Sequence, residues 1–374
     1  MASIIGKHLK VSIFGQSHAA GIGCVIDGLP AGESIDLPLL SQFLARRAPG
    51  SSPLATARKE ADIPEIISGL YQEQTCGAPI CAIIRNTDTR SADYAELADK
   101  PRPGHADYPA HIRYGGAQDV RGGGHFSGRL TAPLCIAGGI CLQILNRYGI
   151  DIGAHIYAIH NIYDDPFDPC TPAPAILDAL TRKPFPTIND KQGAEMQSII
   201  QRAKDAGDSV GGMIECTVLG LPAGIGDPIF DGMENRLSAA LFGIPAIKAI
   251  SFGDGYESGT MFGSENNDVM TIENGRIITK TNHAGGILGG ITTGMPLWFR
   301  CTVKPTPSIA KEQQTISLSA QTDTLLSIHG RHDPCIVPRA VPCVIAATAI
   351  VVLDAILDSS YASLFQKPSS ALHI

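Results

Sequence analysis

The 374-residue chain is poor in charge: Asp, Glu, Lys and Arg together make 17%, and no run of Lys or Arg exceeds two residues. Nucleic-acid binding needs clustered cations along a phosphate backbone. With a net charge of −7, this scarcity argues against a nucleic-acid partner. The chain also lacks a C-x-x-C pair, and its first twenty residues hold no unbroken apolar stretch. Its ten cysteines therefore read as reduced thiols, secretion is not indicated, and a cytoplasmic location is expected. No H-x-x-x-H or Cys/His pair has ligand spacing, so no metal is expected. There is no Walker motif, and no G-x-G-x-x-G follows a strand. The longest oily run, residues 343–353, follows Pro342 and stops at Asp354. That is too short to span a bilayer; it reads as a buried helix, with no membrane partner.

Present in quantity are 44% apolar residues, enough for a large core, together with 40 glycines and 26 prolines, the mark of a loop-rich fold. Residues 8–14 and 21–26 read as paired strands joined by the turn Gly15-Gln16-Ser17-His18. Asp36 caps a helix that ends in Arg46 and Arg47. Residues 79–84, 213–218, 246–252 and 297–303 read as further strands, and 196–206 and 233–242 as helices. Two segments, 130–145 and 341–357, are apolar on nearly every face and predict long buried central helices. Gly138-Gly139 in the first would allow close packing. The fold class expected is α+β in a single domain over 1–358. Residues 155–190, with six prolines and no clear period, read as a surface insertion, and 359–374 as a loosely held tail.

Nine of the 17 arginines (46, 47, 58, 102, 113, 121, 129, 331 and 339) fall in short stretches that also hold Gly, His or Ser-Ser. Planar guanidinium forks suit carboxylates and phosphates, so their convergence on an acidic protein points to a small polyanionic ligand. Gly122-Gly123-Gly124-His125-Phe126-Ser127-Gly128-Arg129 runs straight into the first apolar helix, where backbone N–H groups and the helix dipole favour an anion. Residues 282–290 form a second glycine-dense loop, followed after a strand by Lys304-Pro305-Thr306-Pro307-Ser308. His18, His105 and His332 sit in polar loops beside Arg, Asp or Ser, and a histidine there can deliver or remove a proton near neutrality.

These motifs, with Arg102-Pro103-Gly104-His105-Ala106-Asp107, residues 207–212 and residues 330–339, together resemble the chorismate synthase family over residues 6–357. The resemblance implies a β-α-β sandwich, usually a homotetramer. It implies a carbon–oxygen lyase that converts 5-enolpyruvylshikimate 3-phosphate to chorismate by anti-1,4-elimination of phosphate, in aromatic amino acid biosynthesis. Reduced FMN is the implied cofactor, supplied with electrons either by NADPH at the chain itself or by an external reductant. By family position, His18 would protonate the leaving phosphate, His105 would stabilise the reduced flavin, Asp333 would lie near flavin N5, and Ser17 and Ser127 would accompany them. Arg47, Arg102, Arg129, Arg331 and Arg339 would hold phosphate and carboxylates. His125, Phe126, Ser127, Pro245, Ala246, Gly289, Arg331 and the Lys304-to-Ser308 segment would contact FMN.

The chain departs from the family pattern in four places. Gln16 replaces a glutamate, Pro53 an arginine and Pro245 an asparagine, and His125-Phe126 stands where Arg-Ser is common. These changes predict weaker anion or flavin contacts, with a protonated His125 as the compensating cation. The competing expectation is a divergent relative that binds flavin and anions with weak or no turnover.

Overall fold

The computed structural model describes residues 3–48, 50, 62–86, 96–328 and 333–365. Two five-stranded antiparallel sheets enclose a layer of helices. The first has the spatial order Ile4–Ile5, Lys10–Gly15, Gly21–Asp27, Ile80–Arg85, Glu65–Ser68. The second runs Ile247–Phe252, Leu297–Val303, Gly212–Leu219, Asp151–Ile159, Ile162–Tyr163. All neighbours in both sheets pair antiparallel. The helices Thr131–Arg147 and Val337–Leu357 lie between the sheets and pack on each other. This is a β-α-β sandwich of the α+β class.

Close helix packing follows from sequence. A Cβ at Gly138 would fall 2.2 Å from the Ala346 Cα, and one at Gly139 would fall 2.7 Å from the Leu40 side chain, so only glycine lets three helices meet here. The third is Leu37–Arg47, started by the Asp36 carboxylate, which accepts from the Leu39 N–H. Ile136, Ile140, Ile144 and Leu145 are completely buried, each contributing roughly 1.5–3 kcal/mol of transfer free energy. One apolar cluster runs from Leu9 to Phe365 through both sheets. Asp354, buried on the second central helix, accepts from the N–H groups of Lys7, His8 and Leu9 and so anchors the first sheet to the helix layer.

Three expectations need correction. The second central helix begins at Val337, four residues earlier than the apolar run predicts: Pro342 gives up one backbone hydrogen bond near the helix start without ending the helix. At 21 residues and mean hydropathy 2.4 it is long and apolar enough to cross a membrane, but here it is buried between the sheets. Residues 155–159 are core rather than surface insertion, since they complete a strand paired along Gly212–Leu219, and the segment after them buries Asp164, Phe167, Leu177 and Leu180. Alternation is lost because this strand is covered on both faces. The start of the tail is also held: Ser360–Phe365 forms a 3-10 turn, the Tyr361 hydroxyl donates to the Ala223 carbonyl, and Phe365 packs edge-on against Tyr148 at 4.5 Å.

Candidate active site

Both central helices begin at one cavity of about 700 Å³, with Thr131 and Arg339 of their first turns in its wall. Their N-terminal dipole ends add to the field of six lining cations: Arg47, Arg102, Arg129, Arg339, Lys248 and Lys304. Asp333 is the only acid in the wall among the described residues. Arg47, from the last turn of the Leu37–Arg47 helix, and Arg129, just before the central helix, share the fully buried carboxylate of Asp62. Arg339 pairs with Asp333, and its Nε donates to the Arg47 carbonyl at 2.9 Å. Two guanidiniums on one carboxylate leave a net positive wall, suited to a ligand with several anionic groups.

His105 is held from behind. Its Nδ1 lies 2.6 Å from Asp107 Oδ1, and Arg102 grips the same carboxylate with Nε at 2.7 Å and an outer nitrogen at 2.8 Å. Burial of Asp107 raises its pKa, but hydrogen bonds from Arg102 and His105 outweigh that and hold the carboxyl well below the usual range. An ionised Asp107 makes Nδ1 the donor. Nε2 is left facing Gly123 and has no hydrogen-bond partner among the described residues.

Gly122, Gly123 and Gly124 all take positive φ (59°, 82° and 55°). A Cβ at Gly122 would lie 2.3 Å from the His18 ring and one at Gly123 would lie 3.2 Å from His105, so the triple glycine threads a bare backbone between the two histidines. Ser17 and His18 are buried behind this loop, the Ser17 N–H donating to the Gly124 carbonyl at 3.1 Å. The Ser17 hydroxyl is buried and lacks a partner among the described residues. Ser127 accepts from the Arg129 N–H and starts the turn that leads into the central helix.

The opposite wall is Phe242 to Lys248 with Lys304 and Thr306 to Ser308. Ala246 adopts φ 77°, a strained conformation for a non-glycine residue, and its carbonyl accepts from the Lys304 N–H at 2.9 Å. Lys304 donates to the Gly104 carbonyl, and Arg102 to the Ser308 hydroxyl at 3.2 Å, tying this wall to the His105 loop. Burial, then the nearby Lys248, lowers the Lys304 pKa.

Arg47, Arg102, His105, His125, Phe126, Ser127, Arg129, Pro245, Ala246, Lys304, Thr306, Pro307, Ser308, Asp333 and Arg339 thus share one cavity. Ser17 and His18 sit behind Gly122 and outside its lining. Pro305 packs toward Gly211, and Gly289 belongs to a hairpin pairing Ile287–Leu288 with Ile291–Thr292; neither lines the cavity. Arg331, His332, Pro53 and Arg58 lie outside the described residues. The His125 ring is held by its own chain, Nδ1 donating to the Gly15 carbonyl at 2.9 Å and Nε2 lying 3.3 Å from the Ser3 hydroxyl. Sequence reasoning missed Lys248 and Asp62, which stand in no motif. It quoted Asp107 within a motif without giving it a role, although the spacing of two residues from His105 was a usable signal.

Residues 9–357 match the sequence profile of the family described as Chorismate synthase. The chain belongs to the chorismate synthase family. It is 47% identical over 365 residues to the chorismate synthase of Lancefieldella parvula, covering 95% of this chain and 96% of the relative. To that of Korarchaeum cryptofilum it is 41% identical, covering 95% and 98%. A crystal structure of chorismate synthase superposes with a TM-score of 0.73 at 26% identity, over 94% of this chain and 93% of the other. As a family member the chain is a carbon–oxygen lyase that forms chorismate with loss of phosphate.

Proposed function

We propose that the arginine-walled cavity is where this chain performs the anti-1,4-elimination of phosphate from 5-enolpyruvylshikimate 3-phosphate. The observation that carries the reading is His105, which lines a cavity with six cations in its wall while Asp107 holds its Nδ1. The substrate brings one phosphate and two carboxylates, and Arg47, Arg129 and Arg339, fixed by Asp62 and Asp333, bind them.

The residues suit a reduced flavin mononucleotide as well. Phe242, Ile244, Pro245 and Pro307 offer an apolar wall for a flat ring, Lys248 and Lys304 offer charge for its phosphate, and the buried Ser17 hydroxyl behind Gly122 is an unused donor. When bound, the reduced cofactor supplies electron density to the reacting system. The chain's own part is orientation and proton handling. His105, its Nδ1 fixed by Asp107, would be the proton-handling group for that ring. His18, by family position the proton donor to the departing phosphate, lies behind Gly122 rather than in the lining, while the cationic wall stabilises the charge that develops on that phosphate. Asp333, held by Arg339, faces the same space as the proton acceptor.

Electrons come from NADPH or an external reductant. The large exposed apolar side chains Tyr256, Phe262, Met270, Ile272 and Ile277 support assembly of copies, in line with a homotetramer. Ten free cysteines support a cytoplasmic location. The test is anaerobic incubation of the pure chain with FMN, dithionite and substrate, following chorismate in the ultraviolet. Chorismate should accumulate catalytically; well-folded, flavin-saturated protein that makes none would refute the reading. Sedimentation tests the tetramer.

A further inference from the structure

At the floor of the cavity two thiols face each other across the central helices: Cys135 Sγ lies 3.8 Å from Cys343 Sγ. The reaction above uses neither. Cys343 lines the cavity, whereas Cys135 is completely buried behind it. Their helices are pinned together three residues further along each chain, where Gly138 lies against Ala346, so the approach of the two sulfurs is fixed by backbone packing. The Cys343 thiol donates to the Arg339 carbonyl at 3.3 Å.

We propose that Cys343 and Cys135 are a dithiol oxidation site, in which a small hydroperoxide entering the cavity converts the pair to a disulfide joining the two central helices. The Cys343 thiolate attacks one peroxide oxygen and the O–O bond breaks; the departing hydroxide takes up a proton as water, leaving a sulfenic acid. Cys135 then attacks that sulfur, the S–O bond breaks, and the thiol proton of Cys135 leaves with the hydroxyl as a second water. Two thiols and one hydroperoxide thus give a disulfide and two waters when the oxidant is hydrogen peroxide, the thiols being oxidised and the peroxide reduced. Only a thiolate is nucleophilic enough for the first step. The hydrogen bond from Cys135, opposing burial and aided by Arg47, Thr131 and Arg339, lowers Cys343 to about 7. Burial pushes the other core thiols the opposite way, Cys24 and Cys301 up to about 12.

The test is hydrogen peroxide added to the full chain, followed by alkylation of remaining thiols, digestion without reductant and mass spectrometry. The expected product is a peptide pair linked through Cys135 and Cys343, lost on dithiothreitol treatment and formed while Cys24 and Cys301 are still alkylated in full. In the Cys135→Ser chain, Cys343 should stop at the sulfenic acid and be captured by dimedone. In the Cys343→Ser chain, Cys135 should stay unreacted. Recovery of Cys343 as a free thiol after the exposed Cys76 has been oxidised would overturn the proposal, as would oxidation of Cys135 in the Cys343→Ser chain.

Discussion

The molecule contains two histidine–carboxylate–arginine clusters that differ in what their last nitrogen meets. His105 lies at the cavity, with Asp107 on Nδ1 and Arg102 bracing that carboxylate. His155 is sealed in the second sheet, Nδ1 at 2.9 Å from Asp164 and Nε2 at 3.1 Å from Glu215. Glu215 also accepts from Arg300, whose guanidinium lies 4.0 Å from the Tyr157 ring centre. The inventory of groups is similar, yet of the two only His105 lines a cavity, and its Nε2 has no hydrogen-bond partner among the described residues. Both nitrogens of His155 are consumed by its own chain, and no ligand reaches it. A charged histidine cluster therefore marks a site only when its hydrogen-bond account is left open on the cavity side.

Breaking either cluster should cost stability, but only one break should cost turnover. The largest effect on folding is expected from His155→Ala, which leaves two buried carboxylates facing each other. The loss should be roughly 3–5 kcal/mol in urea unfolding, with turnover per folded chain unchanged. Asp107→Asn should lower kcat about 100-fold by releasing the ring orientation of His105, and should also lower the unfolding midpoint, because the buried Arg102 loses its carboxylate partner. A normal rate in this variant would remove Asp107 from its positioning role.

The clusters should also part company in their pH dependence. Burial lowers the His155 pKa, but its hydrogen bonds to Asp164 and Glu215 outweigh that and raise it above the ordinary value. Its contribution to stability is then complete below about pH 6.5 and lost as pH rises through the higher folded value. Unfolding measured from pH 6 upward should show this decline in the wild type and a flatter course in His155→Gln. Asp107, depressed in the folded state, contributes above its unfolded value near pH 4 and loses that contribution only in strong acid. The smallest effect is expected at Gly123→Ala: a positive φ and a Cβ 3.2 Å from His105 should cost about 1–2 kcal/mol of stability and weaken phosphate binding, read by calorimetry.

Of the His105 cluster, which falls within six consecutive residues, 102–107, the histidine and the arginine were legible in sequence. The His155 cluster was not. Its carboxylates come from 9 and 60 residues away, and the prolines of 155–190 mask a strand whose two faces are both covered. The same rule separates the rest of the site. Arginines in glycine-rich motifs announced themselves, whereas Asp62, which sets Arg47 and Arg129, carries no local signal and is recognised only when the chain is folded. Of the fold, the central helices and most strands were readable from apolar runs. The early start of the second central helix was hidden by Pro342, a residue that breaks helices less effectively near their beginning.

The most direct measurement is anaerobic chorismate formation by His105→Ala under saturating reduced FMN, beside its unfolding midpoint. The account predicts a rate lower by about 10²–10⁴ with the midpoint unchanged. A folded variant that makes chorismate at the wild-type rate would contradict it.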